Sequence, residues 1–372
     1  MMNRRQMMSS SLAGVALSAA FPVSAWAAAN HSKRLLFIIQ RGAADGLSTL
    51  MPIGDPDFGR IRPAEAAAAG AKLDSMFALH PNMAESASLF AAKEARFVHA
   101  LASSYRDRSH FDGQNMLESG AARPYGRDDG WLNRLAANLP AGGAKALAIG
   151  PSIPLLLRGP ADVASYAPSR LPEANDDLMR RVSMLYAEDA ALAPMWETAL
   201  STRDMAGSTI GGGIRKGADV GAMVAGLMKG PTGARIVSLE TDGWDTHTGQ
   251  AQRLGNQLQQ LDALIGAVKS GLGIAWNDTL IMVATEFGRT VSLNGTAGTD
   301  HGTASAAMLF GGSLNGGGKV TADWPGLSAS NLYEGRDLKP TLRMENIISE
   351  ALAGHYARDP VTLRRTLFPD FA

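Results

Sequence analysis

The sequence predicts an α/β fold: a mostly parallel sheet with helices on both faces. Short apolar runs bounded by polar or glycine-rich residues have the form of buried strands, and the segments between them carry helical periodicity. Polar clusters follow the runs directly, which is where open α/β sheets bind their ligands.

Four runs carry the strand prediction: RLLFIIQ (Arg34 to Gln40), ARFVHALA (Ala95 to Ala102), ARIVSLE (Ala234 to Glu240) and DTLIMVATE (Asp278 to Glu286). ASAAMLFGG, Ala304 to Gly312, is a fifth. Between the third and fourth, GQAQRLGNQLQQLDALIGAVKSG sets Leu254, Leu258, Leu261, Leu264, Ile265 and Val268 at spacings of three and four, one face of an amphipathic helix. Residues from about 151 to 230 show no clear strand, hold DDLMRRVSMLYAEDAALAPMWETAL and end in the glycine-rich GSTIGGGIRKG. They are expected to form a mainly helical insertion. GGSLNGGGK, Gly311 to Lys319, reads as a surface turn, and TLRMENIISEALAGHYARD as a terminal surface helix.

The chain opens with paired arginines, Arg4 and Arg5, then a modest apolar run from Leu12 to Phe21 and small residues at Ala25 and Ala27. That is the form of a twin-arginine export signal cut near Ala27, with an ordinary secretory signal as the alternative. Such export carries proteins already folded. Of 35 Lys and Arg, loss of Arg4 and Arg5 leaves 33 against 35 Asp and Glu, a mature net charge of −2. Nothing in that balance calls for nucleic acid. No apolar run of about 18 residues follows the leader, so no stable membrane anchor is expected. With no cysteine, the core alone must hold the fold in an oxidising compartment.

TDGWDTHTG places Asp242, Asp245 and His247 after the third run, and carboxylate with imidazole is a metal-ligand set. A capped turn with a surface histidine explains the segment equally well. TEFGRT then supplies Glu286, and GTDHGTA supplies Asp300 and His301 before the fifth run, so two of seven histidines sit beside acids in segments that should converge. SSYRDRSHFDGQN puts Ser109 and His110 near a helix start, where free N–H groups favour an anion. Ser109 fits a simple N-cap as well as a nucleophile. Arg106, Arg108, Arg41 and Arg289 are candidates for an anion clamp, although a single arginine is more often an ion-pair partner. His99 lies within a strand and reads as a core histidine, His355 as solvated, and Trp244 as packing. There is no G-x-S-x-G nucleophile elbow and no P-loop.

In order, IIQRGAADGLSTLMP, RSHFDGQNMLESG, ETDGWDTHTG, TEFGRT and GTDHGTA resemble the alkaline phosphatase and sulfatase superfamily, and within it a Tat-exported bacterial family whose function is not established. The resemblance spans most of the mature chain. It implies a three-layer sandwich and a periplasmic metal-dependent hydrolase of a phosphate or sulfate ester, with a small anionic ester or glycan-type substrate and the Tat machinery as partners. Carried over by position, Asp45 takes the first metal-binding aspartate, His247 a histidine with Asp242 or Asp245 beside it, Glu286 the next aspartate and His301 the last histidine. Ser109 or His110 falls at the nucleophile, and Asp300 can stand in for a missing ligand. Phe287 occupies the place of a paired histidine, which implies one divalent ion (Zn, Mn, Mg or Ca) rather than two. The departure also supports an alternative, a non-catalytic binding or envelope-assembly protein that keeps the fold with an incomplete metal site. Phosphomutase-type chemistry is a third possibility with no motif of its own.

Overall fold

The computed structural model describes residues 32–139, 145–167, 176–206 and 216–371. The expected leader, residues 1–27, lies outside them, as does most of GSTIGGGIRKG. The strands are β1 (Arg34–Gln40), β2 (Leu50–Met51), β3 (Ala78–Leu79), β4 (Ala95–Ala102), β5 (Ala146–Ile149), β6 (Val163–Tyr166), β7 (Ile236–Thr241), β8 (Thr279–Ala284), β9 (Ser305–Phe310), β10 (Lys319–Thr321) and β11 (Leu342–Arg343). Among the described residues, nine form one sheet in the order β10-β4-β9-β8-β1-β7-β5-β6, with β11 also on β4, while β2 and β3 pair with each other.

β1 lies between β7 and β8, parallel to both, and all seven of its residues are buried. A strand covered on both faces has no polar side, which is why RLLFIIQ is apolar almost throughout. Its side chains alternate between two cores. Leu36 and Ile38 join Leu254, Leu258, Leu261, Leu264, Ile265 and Val268 of the long helix Gln250–Leu272. Leu35, Phe37 and Ile39 face Trp131, Leu132, Ile348, Leu352 and Leu367 on the opposite side. The result is the expected three-layer α/β arrangement with a mostly parallel central sheet.

β9 is the exception, antiparallel to both β8 and β4. Its reversed direction puts its start, rather than its end, at the edge where the parallel strands finish. The residues before β9 therefore meet those that follow β1, β4, β7 and β8.

The region expected as a helical insertion divides differently. β6, within it, extends the sheet edge in parallel with β5. Its last helix, Gly217–Met228, belongs to the core: Met223, Val224, Leu227 and Met228 are buried, and a Cβ on Gly221 would stand 2.3 Å from the Leu264 carbonyl oxygen. Only glycine lets the two helix backbones approach so closely. Asp176–Tyr186 and Leu192–Ala206 are helices, as expected for this region. The terminal helix, Met344–Tyr356, buries one face as expected, but His355 is half-buried rather than solvated, and burial lowers its pKa to about 3.

Two predictions follow from this packing. Gly221→Val should lower unfolding stability in urea by about 1–3 kcal/mol, since overfilling a tight contact forces backbone shifts; an unchanged midpoint would show the helices are free to separate. His99 is fully buried beside Phe77 and Trp324, and burial pushes its pKa from 6.5 down to about 4. Below pH 6.5 the unfolded chain gains a proton that the folded chain refuses, so stability present at neutral pH is lost as the pH falls to about 4. That loss amounts to about 3 kcal/mol. His99→Gln should show a correspondingly shallower acid dependence in denaturant titrations across this range.

Candidate metal centre

Four segments at the carboxyl edge of the sheet build the site. After β4 the chain turns through Arg108, whose φ of +61° is rare for a side-chain-bearing residue, and enters the helix His110–Ser119. After β7 come Asp245 and His247. Gly42, with φ of +115°, lies against them so closely that a Cβ would sit 2.6 Å from the Asp245 nitrogen. The segments flanking β8 and β9 pair at an antiparallel bridge between Arg289 and His301.

The three imidazoles converge. His301 Nε2 lies 2.9 Å from His110 Nε2 and 3.0 Å from His247 Nε2. Asp245 completes the group: Oδ1 is 3.1 Å from His247 Nε2 and 3.5 Å from His301 Nε2, and Oδ2 is 3.5 Å from His110 Nε2. The ligand atoms of His110, Asp245 and His301 all lie within 4.8 Å of one another.

Behind each ring stands an acceptor on Nδ1. For His110 it is Glu286 Oε1 at 2.8 Å, for His247 Asp300 Oδ1 at 3.1 Å, and for His301 the Arg108 carbonyl at 2.9 Å. The Glu286 oxygen also accepts from Gly42 N and Gln114 Nε2, so it is an acceptor only. Each Nδ1 therefore carries a hydrogen, and in its neutral form each ring turns an Nε2 lone pair to the centre. A proton on one ring can satisfy only part of this meeting, whereas a cation among the nitrogens satisfies all of it. Imidazole nitrogens with one carboxylate oxygen, each ring backed by an acceptor, form a donor set that fits a divalent metal.

The hydrogen bond that His110 donates to Glu286 raises the His110 pKa against the effect of burial. Burial lowers that of His301, and the charges of His110 and Arg289 lower it further. Burial pushes the Asp245 carboxyl up, but the buried Arg289, whose Nη1 lies 2.6 Å away, holds it below the ordinary carboxylate range. Asn294 and His247 lower Asp300. Phe287 is buried and stacks on His110, centroids 5.0 Å apart.

Several site residues proposed from the sequence stand elsewhere. Asp45, expected as a metal ligand, caps the turn Gly46–Thr49, accepting from Leu47 and Ser48 N–H groups and pairing with Arg62 at 2.7 Å inside the protein. Its lone pairs are spent within the chain. Asp242 is exposed, and its carbonyl accepts from Gln257. Glu286 and Asp300 accept from the Nδ1 atoms of His110 and His247 and stand behind the cluster rather than in it. Ser109 is the N-cap, accepting from Asp112 N.

The four arginines proposed as an anion clamp all have protein partners. Arg41 pairs with Glu118 and Glu240, Arg106 donates to the carbonyls of Ser103 and Tyr105, Arg108 pairs with Glu334 and Asp337, and Arg289 secures Asp245. Arg62, Gln114, Asn294 and Gln250 escaped the sequence reading. Gln250 alone had a signal, lying three residues beyond His247 at the start of the long helix.

An α/β sheet carrying a His and Asp cluster at its carboxyl edge defines a class of candidate metalloproteins. The family described as protein of unknown function (DUF1501) matches residues 32–356, and the chain belongs to it. No curated protein matches it. Among solved structures, the C-terminal periplasmic domain of EcEptC from Escherichia coli, in complex with Zn, is similar at 8% identity and a TM-score of 0.39, covering 75% of this chain and 73% of that one. The lipoteichoic acid synthase LtaP from Listeria monocytogenes gives 9% identity and 0.40, with 78% and 69% covered. The phosphonate monoester hydrolase of Agrobacterium radiobacter gives 12% and 0.38, with 78% and 70% covered. No helix of the described residues is long and apolar enough to cross a membrane.

One stability prediction belongs to the corrected aspartate. Arg62→Met should cost about 3–5 kcal/mol, because it strands the buried Asp45 charge; a loss under about 1 kcal/mol in urea denaturation would mean the pair contributes little.

Proposed function

We propose that the protein holds one divalent metal ion through His110, Asp245 and His301, with His247 as a fourth donor, and hydrolyses a phosphate or sulfate ester in the periplasm. The observation that carries the metal reading is the meeting of three Nε2 atoms whose rings are all committed to donating through Nδ1. With Asp45, Asp242, Glu286 and Asp300 outside the cluster, the donors are rich in nitrogen. That favours zinc over calcium or magnesium.

A bound ion would polarise an ester oxygen and lower the pKa of a water beside it. The protein's own part is orientation. Glu286, Asp300 and the Arg108 carbonyl fix the three tautomers, and Arg289 fixes the carboxylate. Asp245 and His247 keep side-chain exposures of 42% and 44%, which leaves room for a small anionic ester, glycan-linked or not. Ser109 is engaged as a helix cap, so we assign the attack to water. The paired arginines and A-x-A site of the leader support export by the twin-arginine route.

A second reading, a non-catalytic binding or envelope-assembly protein with an incomplete metal site, is favoured by one observation: Arg41, Arg106, Arg108 and Arg289 all have protein partners. Elemental analysis of protein purified without chelator, paired with turnover of aryl phosphate and aryl sulfate esters, separates the two. We expect about one ion per chain, lost in His301→Ala and Asp245→Ala, and turnover reduced at least about 100-fold in both. Metal without turnover of either ester would leave the second reading. No metal in the wild-type chain and no turnover with any divalent ion would sink the hydrolase reading.

A further inference from the structure

Gln250 opens the long helix at the floor of the site, and its side chain is fully engaged among buried groups. Its Nε2 donates to Asp45 Oδ2 at 2.6 Å and to Ser48 Oγ at 3.1 Å. Its Oε1 accepts from Thr246 Oγ1 at 2.8 Å and from Thr299 Oγ1. The amide cannot be turned round, since a carboxylate oxygen needs the N–H side and the threonine hydroxyls then need the carbonyl side. Each threonine belongs to a different ligand segment: Thr246 lies between Asp245 and His247, and Thr299 two residues before His301.

The chain of contacts continues outward. Thr299 Oγ1 accepts from Arg289 Nε at 3.1 Å, and the Thr299 carbonyl accepts from Arg289 Nη2. Arg289 Nη1 then meets Asp245 Oδ1 at 2.6 Å. The segments are also tied directly, Thr299 N to the Thr246 carbonyl at 3.1 Å. Asp45 and Arg62, fixed at one end by burial, are thus connected by consecutive hydrogen bonds to the carboxylate at the other.

We infer that Gln250 is a positioning residue for the metal: by accepting one hydroxyl from each ligand segment while anchored on Asp45, it sets the spacing of Asp245 and His247 from His301. The inference rests on the metal reading above and adds a residue that touches no ligand atom. A residue that served stability alone would leave metal affinity unchanged once the chain is folded.

The test is zinc affinity, by competition with a chromophoric chelator, for folded wild-type protein, Gln250→Met and Leu258→Ala, together with the urea midpoint of each. Leu258 is buried two turns along the same helix and has no part in the network. Gln250→Met, close in size but without the amide, should bind zinc about 10- to 100-fold more weakly, as loss of orienting contacts does elsewhere. Leu258→Ala should lose stability yet bind zinc as the wild type does. Should Gln250→Met not fold, Thr246→Val and Thr299→Val, which each remove one arm, take its place and should each weaken binding. Affinity within twofold of wild type in these variants, or an equal loss in Leu258→Ala, overturns the inference while leaving the metal site standing. A wild-type chain that binds no zinc overturns both.

Discussion

Every imidazole in the cluster gives its Nδ1 hydrogen to a group that can only accept it. That single constraint turns three Nε2 lone pairs toward one point, and the surrounding architecture serves to maintain it. Glu286 is buried and receives three donors, so it has no freedom to turn away from His110. The unusual φ of Arg108 aims a carbonyl at His301 while its guanidinium is tied down by Asp337. Asn294 grips both the His247 carbonyl and Asp300. A proton on one Nε2 can serve only one of the Nε2 contacts at a time, whereas a cation among the nitrogens meets all of them.

The layers were legible because burial on both faces leaves a strand no choice of composition. RLLFIIQ and ARFVHALA mark β1 and β4 to the residue, and the leucines of the long helix all lie in one core. β5 and β6 were not found: ALAI and VASY are four residues each, too short for a period to declare itself. The helix Gly217–Met228 was assigned to an insertion because glycines that admit a neighbouring backbone look, in sequence, like glycines of a loop.

The site was legible as a set of segments but not as a set of roles. Asp245, His247 and His301 stood out by type and position, and His110 by its place at a helix start. Asp45 and Glu286 follow strands just as a ligand would. What separates them from ligands is a partner distant in sequence: Arg62 for Asp45, and His110, 176 residues away, for Glu286. A carboxylate's neighbours are set by tertiary packing, so no local pattern distinguishes one that binds a cation from one that steers a histidine.

His110 and His301 stand 191 residues apart and meet only because β9 runs against its neighbours. Such a centre has no partial form. Short stretches of the chain offer one or two donors, too few to choose among ions, and selectivity appears at the moment the sheet closes. If the chain is exported already folded and holds an ion here, as proposed above, that ion is settled by the metal supply of the compartment where the chain folds rather than by that of the compartment where it works.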